Sequence, residues 1–349
     1  MCKDSLLNHR IKRTIALWIA LCWLLSACEL TMPPPNFEAT VQVAVQQTIA
    51  APPPQGSPIV PTPTFEDALS VLQDKFATLC WVAYSPTHFD PDQGIYPSET
   101  EIREDLRVLH GAGFRGLTTY GAELVLQHVP RIARESGFEG VVMGVWSPVS
   151  AEELTNAKQA AAYVDGYSVG NEGLFFGRYD FDTLKAAMDD VRTTTQKPVA
   201  TADVLNGYFD NVQLRSLGDW VFPTAHPYWN GNKAPQTAAT WTEQQFIALS
   251  ELYTTTPRLI VFKEVGLPTA GDPEVSEAGQ AEYYRLLRAT NVQFFYFEAF
   301  DQPWKTSQPV EPYWGVFRSD RSPKPVMDRI CTKTLLHLPL IVRQTVAVQ

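Results

Sequence analysis

Apolar positions along the chain follow two alternating rhythms. Short continuous apolar and aromatic runs at 79–84, 114–120, 141–146, 166–170, 198–204, 220–226, 259–265 and 292–300 read as buried strands. Between them, apolar residues recur three or four apart. Ile102, Leu106 and Leu109 do so, as do Leu184, Met188 and Val191, which is the stripe of a helix packed on one face. Ser98-Glu99-Thr100-Glu101, Ser150-Ala151-Glu152-Glu153 and Thr240-Trp241-Thr242-Glu243 have the form of capping boxes. In such a box a hydroxyl and a Glu three residues later each bind the other's free N–H at a helix start. Asp180 caps a further helix, and Gly111 and Gly113 end the first. Residues 123–135, 276–290 and the segment after Pro325 also read as helices, with a weaker one after 204. Eight strand–helix units within residues 78–328 predict an α/β fold with a parallel sheet, closed as a (β/α)8 TIM barrel. An open doubly wound sheet is the alternative, and two features oppose it. Tyr84-Ser85-Pro86 follows the first strand, where a Gly-rich phosphate loop belongs, and polar residues gather at the ends of many strands.

The N-terminus departs from this rhythm. Residues 1–14 are basic, 15–25 form an apolar run, and Leu25-Ser26-Ala27-Cys28 follows. The run is too short for a comfortable membrane span, which takes about 20 residues. The pattern resembles a bacterial lipoprotein signal, in which Cys28 becomes the lipidated first residue; an ordinary signal with an incidental Cys is the alternative. Residues 29–63 hold nine of the 27 prolines, which favours extended chain, with room for a short helix at 37–51. The expected organisation is therefore a signal peptide at 1–27, a Pro-rich tether at 28–63 and a barrel domain at 64–349. That implies an extracytoplasmic monomer held to a lipid bilayer through Cys28.

Composition sharpens this picture at two points. The net charge is −10 while the first 27 residues carry +3, so the remainder carries −13. Such an acidic body argues against nucleic acid as a partner. Cys80 and Cys331 remain beyond the N-terminal segment. They are either a disulfide, if the ends of the folded region meet, or two separate buried thiols.

In a barrel the C-terminal ends of the strands carry the chemistry. The fourth strand ends Val169-Gly170-Asn171-Glu172-Gly173, the sixth Ala225-His226-Pro227-Tyr228-Trp229 and the seventh Phe262-Lys263-Glu264-Val265-Gly266. The eighth runs into Phe297-Glu298-Ala299-Phe300-Asp301-Gln302-Pro303-Trp304-Lys305. Glu172 and Glu264 are 92 residues apart yet face one mouth. Glycosidic hydrolysis needs two carboxyls, one to protonate the leaving oxygen and one to attack the sugar carbon or activate water. The neighbouring aromatics suit the C–H faces of sugars.

Over most of residues 78–328 the chain resembles glycoside hydrolase family 17, the retaining β-1,3-glucanases and related transglycosylases of clan A. Asn171-Glu172 is similar to the clan's acid/base motif, and Glu264-Val265-Gly266-Leu267-Pro268 to the family's nucleophile motif, which usually reads Glu-Thr-Gly-Trp-Pro. Residues 300–305 and 311–317 are similar to a third family block, and the bacterial branch is the nearest match. Val265 and Leu267 stand where Thr and Trp are usual, and Gln302 where Glu is frequent. The change at Leu267 bears on a sugar subsite, and that at Gln302 on the pKa of Glu172 or the choice between water and sugar acceptors.

The resemblance implies Glu172 as acid/base and Glu264 as a nucleophile that forms a glycosyl-enzyme. A Lys263–Glu264 ion pair is not expected, because successive strand residues point to opposite faces. Asn171 is assigned to the sugar 2-hydroxyl, Tyr228 to the orientation of Glu264, and Tyr120 to the non-reducing-end subsite. Trp229, Trp304 and Trp314 are candidate sugar platforms, and Lys305 and Glu311 line the cleft. His226 has no second His or Cys at ligand spacing, so it reads as structural or substrate-contacting, and no metal or other cofactor is expected. The expected substrate is β-glucan, most simply β-1,3-linked. A transglycosylase of the same fold and a non-catalytic sugar-binding surface lipoprotein are the rivals.

Overall fold

The computed structural model describes residues 64–331. The signal at 1–27, the tether up to residue 63, Cys28 and the helix at 37–51 lie outside the described residues.

Seven parallel strands form one sheet in the order β5-β4-β3-β2-β1-β7-β6. They are β1 (Trp81–Ala83), β2 (Gly116–Thr118), β3 (Gly140–Val145), β4 (Gly166–Asn171), β5 (Val199–Ala202), β6 (Phe262–Val265) and β7 (Phe294–Tyr296). Almost every strand residue is buried, as expected where helices cover a parallel sheet. Those helices are α2 (Glu99–Gly111), α3 (Val129–Glu135), α4 (Ala151–Gln159), α5 (Phe181–Thr195), α6 (Leu205–Asp210), α7 (Val212–Ser216), α8 (Pro235–Glu251) and α9 (Glu277–Leu287). The predicted stripes face inward: Ile102, Leu106 and Leu109 of α2, and Leu184, Met188 and Val191 of α5, are buried in the main core.

The arrangement is barrel-like, but the strand ladder does not close. The expected sixth strand, 220–226, makes only isolated bridges, Val204↔Thr224 beyond β5 and Val221↔Ile260 and Thr224↔Glu264 along the β6 side. Pro223 is the physical reason, since it has no N–H to give to a ladder. Its carbonyl still accepts from the Lys263 N–H at 2.8 Å, and the Ala225 N–H reaches the Glu264 carbonyl at 2.9 Å.

Other expectations change at element starts and ends. The Ser98 box forms as predicted, with Ser98 and Glu101 each binding the other's N–H. At Ser150 only half a box forms. The Ser150 hydroxyl accepts from the Glu153 N–H, but the Glu153 carboxylate turns away to the N–H groups of Ala122, Trp146 and Ser147 at 2.9, 2.8 and 3.1 Å. The box at Thr240 does not form, because α8 already starts at Pro235, a residue suited to the first helical turn. Residues 123–135 split into a 3-10 turn at Leu124–His128 followed by α3, and the helix after Pro325 is a short 3-10 turn, Pro325–Asp328.

A helix absent from the sequence reading precedes the sheet. In α1 (Phe65–Thr78), Thr64 and Asp67 form a full capping box. Leu72 and Phe76 pack on Trp81, Trp220, Phe222 and Phe295, and the Trp81 indole N–H donates to the Lys75 carbonyl at 2.9 Å. Lys75 also pairs with Asp165, just before β4, at 2.8 Å. The amino ends of the strands are thereby plugged by aromatic rings. A Cβ on Gly116 or Gly140 would lie 2.2 or 2.4 Å from the Trp81 ring, so these two strand starts admit only glycine. Cys80 and Cys331 form a disulfide, which decides between the two readings of that pair.

Candidate active site

The opposite, carboxyl ends of the strands are charged. At the end of β4 the backbone turns sharply: Gly170 has φ 78° and Glu172 φ 53°, a left-handed conformation uncommon for a side-chain-bearing residue and concentrated at functional sites. The Glu172 N–H donates to the Ala202 carbonyl at 2.8 Å, which holds this turn against β5. On β6, Lys263 and Glu264 are both buried. Gly266 follows because a Cβ there would lie 2.1 Å from the Phe297 carbonyl oxygen.

The carboxyls of Glu172 and Glu264 and the His226 ring present atoms that all lie within 4.8 Å of one another. The surroundings push the two acids apart. Burial, and then the Glu264 charge, raises Glu172, while a hydroxyl hydrogen bond from Thr224 at 2.6 Å partly offsets this. Burial also pushes Glu264 up, but the Lys263 ammonium and His226 outweigh it and hold the carboxyl at about 2. Lys263 Nζ lies 3.2 Å from one Glu264 oxygen, and His226 Nε2 lies 3.3 Å from the other. The Lys263–Glu264 pair, not expected from strand alternation, is therefore present. The long side chain of Lys263 also donates to the Asn171 side-chain oxygen and lies 4.1 Å from the Tyr120 ring centroid. His226 is lowered by burial, but its contact with Glu264 raises it more. The three donor groups have the chemistry of a cation site, yet the Lys263 ammonium already competes for Glu264.

A cleft of about 470 Å³ opens over this group. It brings together Tyr120, Asn171, Glu172, Glu264, Trp304, Lys305 and Glu311 from the expected set. Three other expectations need correction. The Tyr228 hydroxyl donates to Asp272 at 2.8 Å rather than to Glu264. Trp229 is 47% exposed and meets the Tyr228 ring edge to face, outside the cleft lining. Trp314 is fully buried, packed on His226 and Phe297, and is core rather than platform. Gln302 does not meet Glu172. Its amide donates to the Ser85 carbonyl and its oxygen accepts from the Trp304 indole N–H at 2.8 Å, which orients that ring. Leu267 is buried. The Tyr120 hydroxyl is buried beside the Glu264 carboxylate; burial and then the Glu264 charge raise its pKa well above the usual range.

Two residues had no role assigned from the sequence. One is Lys263. The other is Glu298, fully buried and pushed up to about 7 by burial against the pull of Lys305, whose ammonium sits 2.8 and 2.9 Å from its two oxygens. The available signal was an acid within the apolar run 292–300.

The family model of the BtgE/BtgC glycoside hydrolase domain matches residues 82–315. A glucan 1,3-beta-glucosidase of Arthroderma benhamiae is 26% identical over 223 residues, covering 55% of this chain and 72% of that protein. A protein of the same name from Schizosaccharomyces pombe is 28% identical over 226 residues, covering 56% and 70%. Among solved structures, an endo-laminarinase from Formosa Hel1_33_131 superposes with a TM-score of 0.61 at 18% identity, covering 70% of this chain and 84% of that one, a likeness of fold.

Proposed function

The chain belongs to the BtgE/BtgC glycoside hydrolase domain family and is an O-glycosyl hydrolase, and from this we propose that it cleaves β-1,3-glucan by double displacement. One observation carries the mechanism: two carboxyls within 4.8 Å of each other whose surroundings drive their pKa values in opposite directions. Retaining glycosidases hold their carboxyls about 5–5.5 Å apart. Glu264, kept ionised by Lys263 and His226, attacks the anomeric carbon while Glu172 gives its proton to the departing oxygen. A glycosyl–Glu264 ester forms. Glu172, now a base, takes a proton from water as that water attacks the same carbon, and the ester bond to Glu264 breaks. Asn171, held by Lys263, is placed for the 2-hydroxyl. The β-1,3 linkage rests on the names of the relatives, and the retaining assignment also on the resemblance to family 17.

Linear β-1,3-gluco-oligosaccharides, with products followed by chromatography and anomer by NMR, test this reading. Glu172→Gln and Glu264→Gln should each lower kcat by about a thousandfold or more. Products should keep the β configuration, and products longer than the substrate would mark a transglycosylase. Turnover that survives both changes, or an inverted anomer, would sink the mechanism.

We also propose that the chain is exported and anchored through Cys28, on the form of residues 1–28 and the Cys80–Cys331 disulfide, a bond of oxidising compartments. Cys28→Ser should move the protein from the membrane to the soluble fraction of a bacterial host. Unchanged fractionation would reject the anchor.

A further inference from the structure

Trp146 follows β3 at the cleft, is 42% exposed and has no role in the chemistry above. A ring of this size is usually mostly buried, so its exposure needs a reason. Two contacts hold it in place. Its backbone N–H donates to the buried Glu153 carboxylate at 2.8 Å. The Arg178 guanidinium lies over one side of the ring, 4.2 Å from the centroid. Arg178 also donates to the Asn171 carbonyl, which ties the ring's support to the residue before Glu172. A cation on one face is attracted by the ring quadrupole and leaves the other face free. A ring fixed at both backbone and side chain loses little freedom when a ligand arrives.

We propose that Trp146 is a stacking platform for a glucosyl unit of the β-glucan chain, with Arg178 as its positioning residue. The platform rests on the reading above that the cleft takes β-glucan. The flat C–H face of a pyranose suits an indole face, and such contact needs no hydrogen bond of its own. Trp146 stands on the β3 side of the cleft with Gly121 and Glu123, not on the strands that carry the two glutamates. Its contribution should therefore depend on chain length, because only chains that reach it gain from it.

The test uses the full chain, linear β-1,3-gluco-oligosaccharides of increasing length, and calorimetric binding of the longest one to Glu264→Gln protein. Trp146→Ala should lower kcat/KM about tenfold on long chains, mainly through KM, and little on the shortest. Trp146→Phe should keep most of the activity, and both should unfold at the wild-type Tm. Arg178→Met should weaken long-chain use and add nothing to it once Trp146 is Ala. An additive loss would remove Arg178 from the site. Equal loss at every length, or none, would overturn the platform. Binding without cleavage, weakened by Trp146→Ala, would keep the platform and reject the hydrolase reading. A wild-type chain that neither binds nor cleaves would reject both.

Discussion

At the residue scale the site turns on Lys263. Its ammonium is buried, and burial lowers its pKa on balance, while the Glu264 and Glu172 charges oppose that loss. The ammonium charge, more than hydrogen bonding, keeps the Glu264 carboxyl ionised. Lys263→Met removes it, so the pKa of Glu264 rises. Under the proposed double displacement the attacking form is the Glu264 carboxylate and Glu172 sets the alkaline limb, so the acid limb of the kcat/KM profile should move to higher pH while the alkaline limb moves less. The same sign applies to stability. Glu264 is depressed in the folded state, so its favourable contribution is present above the unfolded carboxylate range and is lost as pH falls toward about 2. An unchanged acid limb in the variant would separate Lys263 from the titration of Glu264. Strand alternation pointed away from this pair because it describes where Cβ points, and the flexible stem of a lysine carries its head group elsewhere.

At the element scale, Glu153 shows how a helix start serves two loops. Its carboxylate binds three backbone N–H groups from the ends of β2 and β3, and burial raises its pKa despite them. Glu153→Gln leaves one acceptor oxygen and adds two donors with no place to go. We expect a loss of about 2–3 kcal/mol by denaturant unfolding, with weaker use of long substrates because Trp146 is no longer held. A stability change below about 0.5 kcal/mol would mean that these bonds are replaced by water. Strands and helices were largely legible here, since burial on both faces and stripes such as Leu184, Met188 and Val191 leave a plain pattern. What was not legible depends on long-range partners. Ser150 reads as a full box until Ala122 and Trp146 draw Glu153 away. Residues 220–226 read as a strand until Pro223 interrupts the ladder. Residues 65–78 form a helix whose purpose is visible only when Trp220 and Phe295 are seen beneath it.

At the scale of the whole molecule, the interior runs from aromatic rings at one end of the strands to Glu172, Glu264, Glu298, Lys263, Lys305 and His226 at the other. The two glutamates were visible in sequence because each ends a strand. Glu298 and Lys305 pair across a bend, and Trp146 meets Arg178 across two loops, so neither pairing has a sequence spacing that announces it. Such a charged mouth costs stability, and the apolar end and the covalent closure must offset it. Cys80 precedes β1 and Cys331 follows the last 3-10 turn, so the disulfide joins residues 251 apart, with Cα atoms 5.5 Å from each other. A crosslink over a loop this long removes much of the freedom of the unfolded chain, worth at most about 5 kcal/mol in the chain-entropy view. It acts far from the glutamates. Cys80→Ser/Cys331→Ser should therefore lower the unfolding free energy by about that margin, read as a lower urea midpoint at unchanged m, while kcat at 25 °C stays near the wild-type value, and reductant should lower the wild-type midpoint to match. A midpoint indifferent to both reductant and substitution would show that the apolar end and the strand ladder hold the ends of the fold together without the bond.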